Sequence, residues 1–312
     1  MLRILASLFL SVLFVSSVFS MTMDEAVEHA LKNNPDLQVS RLDEEVIFSQ
    51  GIKARLPLRA NPTIESSLAT KGKSPVEERS KRFTDYGMKI SQEFEIAGQR
   101  SMRIGIAAKD LGRIRHEIRN RERVLIAEVR DVFAKAIAGK EKIELTKEVI
   151  KIQSELLDYT RMKFQAGDVS GLQVNLAEVE FAKAKRELLI AENEYRENLL
   201  TLLGLLGRKP DLDLSLEGTL PAETFTLPGK DALLESTLSK RPDLLAVSAE
   251  MDSAQANIDL VKRETVPNLT AAGFYEKDER RNIFGVEFSL PIPLFDRKQA
   301  EKREALARAQ QA

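Results

Sequence analysis

The sequence predicts a mainly helical protein with a small β part: a long coiled-coil helical hairpin and four strands of membrane-crossing length, laid out as a duplicated repeat. Three observations predict it. A short phrase is spelled twice, NNPDL at residues 33–37 and KRPDL at residues 240–244. Apolar residues recur at every seventh position from Gly98 to Gln165 with no proline between them. Period-two alternation appears in four runs that fall in matching places after the two phrases, which is the pattern of a strand with two unlike faces.

Composition narrows the function classes. The chain of 312 residues holds no cysteine, which excludes disulfides, thiolate metal sites and an acylated N-terminal cysteine. Its 47 basic and 48 acidic residues cancel, so net charge implies neither a nucleic-acid partner nor an acidic one. The basic stretch at residues 100–123 reads as a solvated helix face. Aromatics are only 6% and tryptophan is absent, which suits long helices packed side to side. With only His29 and His116, no nucleophile motif and no phosphate loop, no enzyme is expected, and no cofactor or metal site.

Residues 1–20, MLRILASLFLSVLFVSSVFS, carry one positive charge at Arg3 and an apolar run from Ile4 to Val15. That run is too short to span roughly 30 Å of hydrocarbon, so these residues read as a signal peptide, with the mature chain beginning near Met21. The first repeat is expected over residues 21–227. Thr22 and Glu25 have capping-box spacing, and the helix they open runs to Pro35, which suits the first turn of the next helix. That second helix is expected to run on toward Pro62.

Strands are expected at 62–70 and 83–94. In the latter, Tyr86, Met88 and Ile90 fall on one face and Lys89 and Glu93 on the other. The hairpin then spans residues 98–206. In its first helix one series of sevens runs through Ile104, Leu111, Ile118, Leu125 and Val132, and a second, displaced by four, runs from Val129 to Phe164. Sustained sevens mean helices wound on helices, and a helix of that extent is roughly 100 Å long. The returning helix, from Ser170 to about Leu206, alternates bulky Val174, Phe181, Leu188, Tyr195 and Leu202 with Ala177, Ala184 and Ala191, which favours close antiparallel packing.

The second repeat, residues 228–312, reaches Pro242 and then Pro267 in the same way. Its strands are expected at 267–276 and 282–292, and YGMKISQEFEIAGQR at 86–100 aligns with FGVEFSLPIPLFDRK at 284–298. Phe284, Val286, Phe288 and Leu290 share one face, opposite Glu287. Each strand has the length that a tilted strand needs to cross a bilayer, but a soluble hairpin with one wet face carries the same pattern.

Taken with the stretches QEFEIAGQRSMRIGIA, FQAGDVSGLQVNLAEVEFAKAKREL and RPDLLAVSAEMDSAQANIDLVKRETVPNL, this layout resembles the TolC family of outer-membrane efflux proteins. The resemblance implies a homotrimer in which each protomer contributes four strands to one β-barrel in the outer membrane, continued by a helical barrel across the periplasm. The duct would dock through a periplasmic adaptor to an inner-membrane pump and export small solutes or metal cations. QEFEIAGQR and LPIPLFDRK look most like the branch serving heavy-metal pumps of the resistance-nodulation-division class. The resemblance also implies that the hairpin tip, Gly167, Asp168, Val169 and Ser170, meets the adaptor. Tyr86, Met88, Ile90, Phe284, Val286, Phe288 and Leu290 would then face lipid, and Lys89, Glu93 and Glu287 the lumen. A second long hairpin with the periplasmic gate would be expected beyond Ala312. A periplasmic coiled-coil scaffold or adaptor without a barrel, and a type I secretion duct, are the other readings.

Overall fold

The computed structural model describes residues 20–71, 83–210, 214–218, 229–278 and 281–312. The expected signal peptide, apart from Ser20, and the expected boundary between repeats at 227 and 228 lie outside the described residues. The chain divides into two compact units, one of residues 1–38 with 121–227 and one of residues 39–120 with 228–312. Two helices, α2 (Pro35–Arg55) and α3 (Gln99–Gln165), belong partly to each.

In the first unit α1 (Met23–Asn33) opens on the expected box. The backbone nitrogen of Glu25 donates to Thr22 Oγ1, and Glu25 Oε2 accepts from the backbone of Thr22 at 2.9 Å. Asn34 then starts α2, its Oδ1 accepting from Leu37 N at 3.0 Å. The long helix α3, of 67 residues, returns through α4 (Gly171–Leu205). Cross-helix pairs Lys142–Glu194 (2.8 Å) and Arg161–Glu178 (2.7 Å) run in opposite sequence order, so the two helices are antiparallel. The hydrogen bond that Lys142 donates to Glu194 raises the pKa of Lys142.

The seam follows the predicted sevens over most of its length. Leu125, Val129, Ala136, Ile143 and Leu157 are buried, as are Ala184, Ala191 and Leu202 on α4. Phe164, the last of its series, is 50% exposed, because it sits one residue before the helix ends and the seam opens toward the tip. A two-residue parallel pairing of β1 (Ser20–Met21) with β4 (Ser215–Leu216) completes the unit and buries Met21.

One contact in this unit joins elements far apart in sequence. The α1–α2 corner covers the end of α4, where the last carbonyls of a helix have no partner of their own. Asn34 Nδ2 donates to Leu205 O at 2.9 Å, and His29 Nδ1 lies 3.2 Å from Leu206 O, which requires a proton on that nitrogen. Gly207 follows with φ of 66°, and a Cβ there would stand 2.3 Å from Asn33 O. The approach is possible only at a residue without a side chain.

The second unit is built on a four-stranded antiparallel sheet in the order β2 (Thr63–Lys71), β3 (Phe83–Phe94), β5 (Leu269–Asp278), β6 (Arg281–Ser289). Its central pairing, β3 with β5, joins strands from distant parts of the chain. The expected fourth strand reached residue 292. The structure ends it at Ser289, since Pro291 and Pro293 lack the N–H that a ladder needs, so Leu290 lies beyond the strand and not on its face. Likewise α2 stops at Arg55, short of Pro57, and Arg100 donates to its last carbonyls, Arg55 O at 2.7 Å and Leu56 O at 3.1 Å.

The sheet-to-helix corner is repeated in both halves of this unit. Gly98 (φ 75°) precedes α3 and Lys298 (φ 58°) precedes α7 (Gln299–Gln311). Gln99 Oε1 accepts from Ala97 N at 2.9 Å, and Gln299 Oε1 from Arg297 N at 2.7 Å. Gln99 therefore matches Gln299, two residues later than the sequence alignment places it, and the extra length lies in the proline-containing segment after β6. Gln99 is also buried, and its amide reaches Val266 O and Asn268 Oδ1 in the segment that leads into β5. Beside it Arg103 grips Glu95 with both guanidinium nitrogens, the side chains 17% and 11% exposed. After α5 (Lys230–Lys240), the α6 helix (Pro242–Arg263) packs on α7 through Ile258, Val261 and Ala305.

Candidate functional site

Two surfaces, one in each unit, carry the residues singled out from sequence. The first is the end of the hairpin. α3 terminates in a Schellman turn: Asp168 N donates to Lys163 O at 2.9 Å, and Gly167 holds φ of 81°. Lys163 Nζ bonds Asp168 Oδ2 at 2.8 Å and so braces the turn from outside. Ser170 begins α4, with Gln173 Oε1 accepting from its backbone at 3.3 Å. Gly167, Asp168, Val169 and Ser170 thus form one short turn between two capped helix ends. A concavity of about 550 Å³ lies beside it, floored by Leu156, Tyr159, Val169 and Leu176 and edged by Lys163 and Glu180. Sequence reasoning found the turn and missed this groove, since its two walls come from separate helices.

The second surface is the sheet. Register aligns Ile64, Leu68, Tyr86, Met88, Ile90, Tyr275, Phe284, Val286 and Phe288 on a single face. These side chains are largely exposed: Ile64 70%, Leu68 77%, Phe284 76%, Val286 76% and Phe288 68%. The opposite face holds Glu65, Asp85, Lys89, Ser91, Glu93, Glu276 and Glu287, and Asp85 and Ser91 on it are buried. An apolar face exposed to this extent is the reverse of a water-soluble sheet.

On the polar face Lys89 Nζ reaches Glu287 Oε2 at 2.8 Å, crossing β5 above the buried Ala272 and linking β3 to β6. Glu93 accepts from Asn268 Nδ2 at 2.6 Å at the helix-bearing end of the sheet. A concavity of about 430 Å³ runs along this face past Glu65, Gly87, Lys89, Phe274 and Glu287. Phe274 lies flat on Gly285, where a Cβ would come within 2.4 Å of the ring. No local pattern signals that contact, because it depends on which strand lies beside which. Among the described residues no group of histidines and carboxylates could hold a metal ion, and no helix is long and apolar enough to cross a membrane.

A long antiparallel helical hairpin together with a four-stranded sheet whose apolar face is exposed is the fold of an outer-membrane channel subunit. The chain belongs to the outer membrane efflux protein family, whose profile matches residues 26–208 and 233–312. It is 26% identical over 251 residues to the cobalt-zinc-cadmium resistance protein CzcC of Cupriavidus metallidurans, a match over 77% of this chain and 57% of that one. It is 22% identical over 311 residues to the pyoverdine export outer membrane protein OpmQ of Pseudomonas aeruginosa, over 93% and 65%. The solved structure of the transmembrane channel protein CusC superposes with a TM-score of 0.74 at 16% identity, over 93% of this chain and 70% of that one. The chain spans 57% and 65% of the length of these two curated relatives.

Proposed function

We propose that the protein is one subunit of a trimeric outer-membrane duct through which a periplasmic adaptor and an inner-membrane pump expel small solutes or metal cations. The observation that carries this reading is the sheet. It has a largely exposed apolar face, a charged opposite face, and two edges, β2 and β6, with no partner strand among the described residues. Three such sheets closing edge to edge would remove every edge, hide the charges in a lumen and give the apolar face to lipid. On this reading Tyr86, Met88, Ile90, Phe284, Val286 and Phe288 face hydrocarbon, and Lys89, Glu93 and Glu287 line the passage.

In this role the protein is no enzyme and binds no cofactor: passage needs a wall, while the pump supplies selection and energy. Similarity to CzcC supports metal cations as the cargo and a pump of the resistance-nodulation-division class. Residues 1–20 would direct export and be removed, and residues 21–227 and 228–312 are the two repeats.

The turn at Gly167, Asp168, Val169 and Ser170 is the adaptor contact, with the neighbouring groove able to take an apolar side chain from a partner helix. Gly167→Val tests this, because a β-branched residue is strongly disfavoured at positive φ. The expected result is loss of adaptor crosslinking and of export, with the protein still trimeric in outer membranes. Undiminished crosslinking and export would place the contact elsewhere. Recovery of the protein as a soluble periplasmic monomer would instead remove the duct itself.

A further inference from the structure

We infer that the end of the sheet farthest from the helices binds the phosphate of an outer-leaflet lipid, through Lys277 framed by Tyr86, Tyr275 and Asn282. The apolar face is not uniform along the strands. Register stacks it in rows: Phe94 with Leu269; Gln92, Ala271 and Phe288; Ile90, Gly273 and Val286; Met88, Tyr275 and Phe284; and last Tyr86, Lys277 and Asn282. Gln92 and Ser66 are its uncharged polar members, and a charge enters among these rows only at the last, where Lys277, an amide and a phenol lie side by side.

That row lies at the end where strands connect to strands. Lys71 is paired with Phe83 and Asp278 with Arg281, while the other end of each strand leads to a helix. If the helices lie in the periplasm, the Lys277 row meets the outer surface of the membrane.

The geometry there is assembled. Tyr86 and Tyr275 have ring centroids 6.0 Å apart, and Tyr275 and Phe284 4.8 Å, both tilted, so three rings from three strands form one cluster. Lys277 Nζ stands 5.6 Å from the centre of the Tyr86 ring, a cation–π contact that holds the long side chain over the cluster. Tyr275 Oη donates to Asn282 Oδ1 at 3.2 Å, which leaves the Asn282 amide nitrogen to donate outward. Among the described residues no carboxylate pairs with Lys277, whereas Lys89 on the other face is matched to Glu287. A positive charge above aromatic rings at the edge of an apolar band is complementary to one ligand chemistry, an acyl chain below an anionic headgroup.

The inference rests on reading the apolar face as lipid-exposed, and the test separates the two. Full-length protein in a neutral detergent is titrated with bisphosphorylated lipid A, and bound lipid is counted by native mass spectrometry, for wild type and for Lys277→Gln. Dephosphorylated lipid A and inorganic phosphate serve as the other arms, and outer-membrane fractionation is run on both proteins.

The expected result is saturable lipid A binding, about fivefold weaker in Lys277→Gln and similarly weaker for the dephosphorylated lipid, with no displacement by millimolar inorganic phosphate. Equal binding by Lys277→Gln, or by the dephosphorylated lipid, would overturn the inference while leaving the duct intact, provided that both proteins fractionate with outer membranes. Displacement by inorganic phosphate would mean a free-anion site and would also overturn it. If wild type itself fails to fractionate with outer membranes, the reading of the sheet fails first.

Discussion

Placing an arginine on the apolar face should destabilise the membrane-inserted form by an amount set by its row. The face runs from Tyr86 to Phe94 along β3, eight residues apart, or about 27 Å at the rise of a strand and about 20 Å after a tilt of roughly 40°. Its middle is the Ile90–Val286 row, and Phe288 lies one row, about 5 Å, nearer the helices. Arginine costs roughly 2–4 kcal/mol at the midplane and 0–1 near an interface, so Val286→Arg is expected to cost about 3 kcal/mol per protomer and Phe288→Arg about 2. In a trimer either change is repeated around the ring.

The control is Glu287→Gln on the opposite face. It removes the Lys89 pair, whose side chains are 34% and 49% exposed, and should cost at most about 1 kcal/mol. Glu287→Arg is a poorer control, because it sets a second cation beside Lys89. The assay is the temperature at which the trimer dissociates on unheated gels, together with recovery in outer membranes. The reasoning is refuted if Val286→Arg assembles and melts like wild type, or if Glu287→Gln is as damaging as Val286→Arg.

Four further outcomes follow from the corners of the fold. Gly207→Ala meets Asn33 O at 2.3 Å and a disfavoured φ, and should break the His29 and Asn34 contacts to α4, costing about 3–5 kcal/mol in chemical denaturation. Gly204→Ala, with nothing within 4 Å, should instead gain about 0.5–1 kcal/mol. Arg103→Ala strands the mostly buried Glu95 and should lower stability by about 2–4 kcal/mol, with Glu95→Gln/Arg103→Gln recovering part of that in a double-mutant cycle. Lys298→Gly relieves a left-handed lysine and should raise the melting temperature slightly, by about 0.5–1 kcal/mol of stability; a loss would mean that the Lys298–Glu301 pair outweighs the strain.

Much of this protein was legible one element at a time. The capping box at Thr22, the prolines at 35 and 242 and the sevens of α3 and α4 each act within a turn or two of helix, so local spacing was enough to place them. Period two likewise divided each strand into an apolar and a charged face without knowledge of its neighbours. What sequence could not supply was partnership. The pairing of β3 with β5, the Lys89–Glu287 bridge, the rings of Tyr86, Tyr275 and Phe284, and the capping of α4 by His29 and Asn34 join residues from distant parts of the chain.

His29 shows the limit well, since in a helical pattern it reads as solvated or packed and only the folded chain brings Leu206 O to it. The sequence by itself determined which elements form and which face of each is apolar, because those depend on side chains a few residues apart. The tertiary structure alone decided the register and the neighbours, because a slip of one residue between two strands leaves each local pattern intact while exchanging every contact across them.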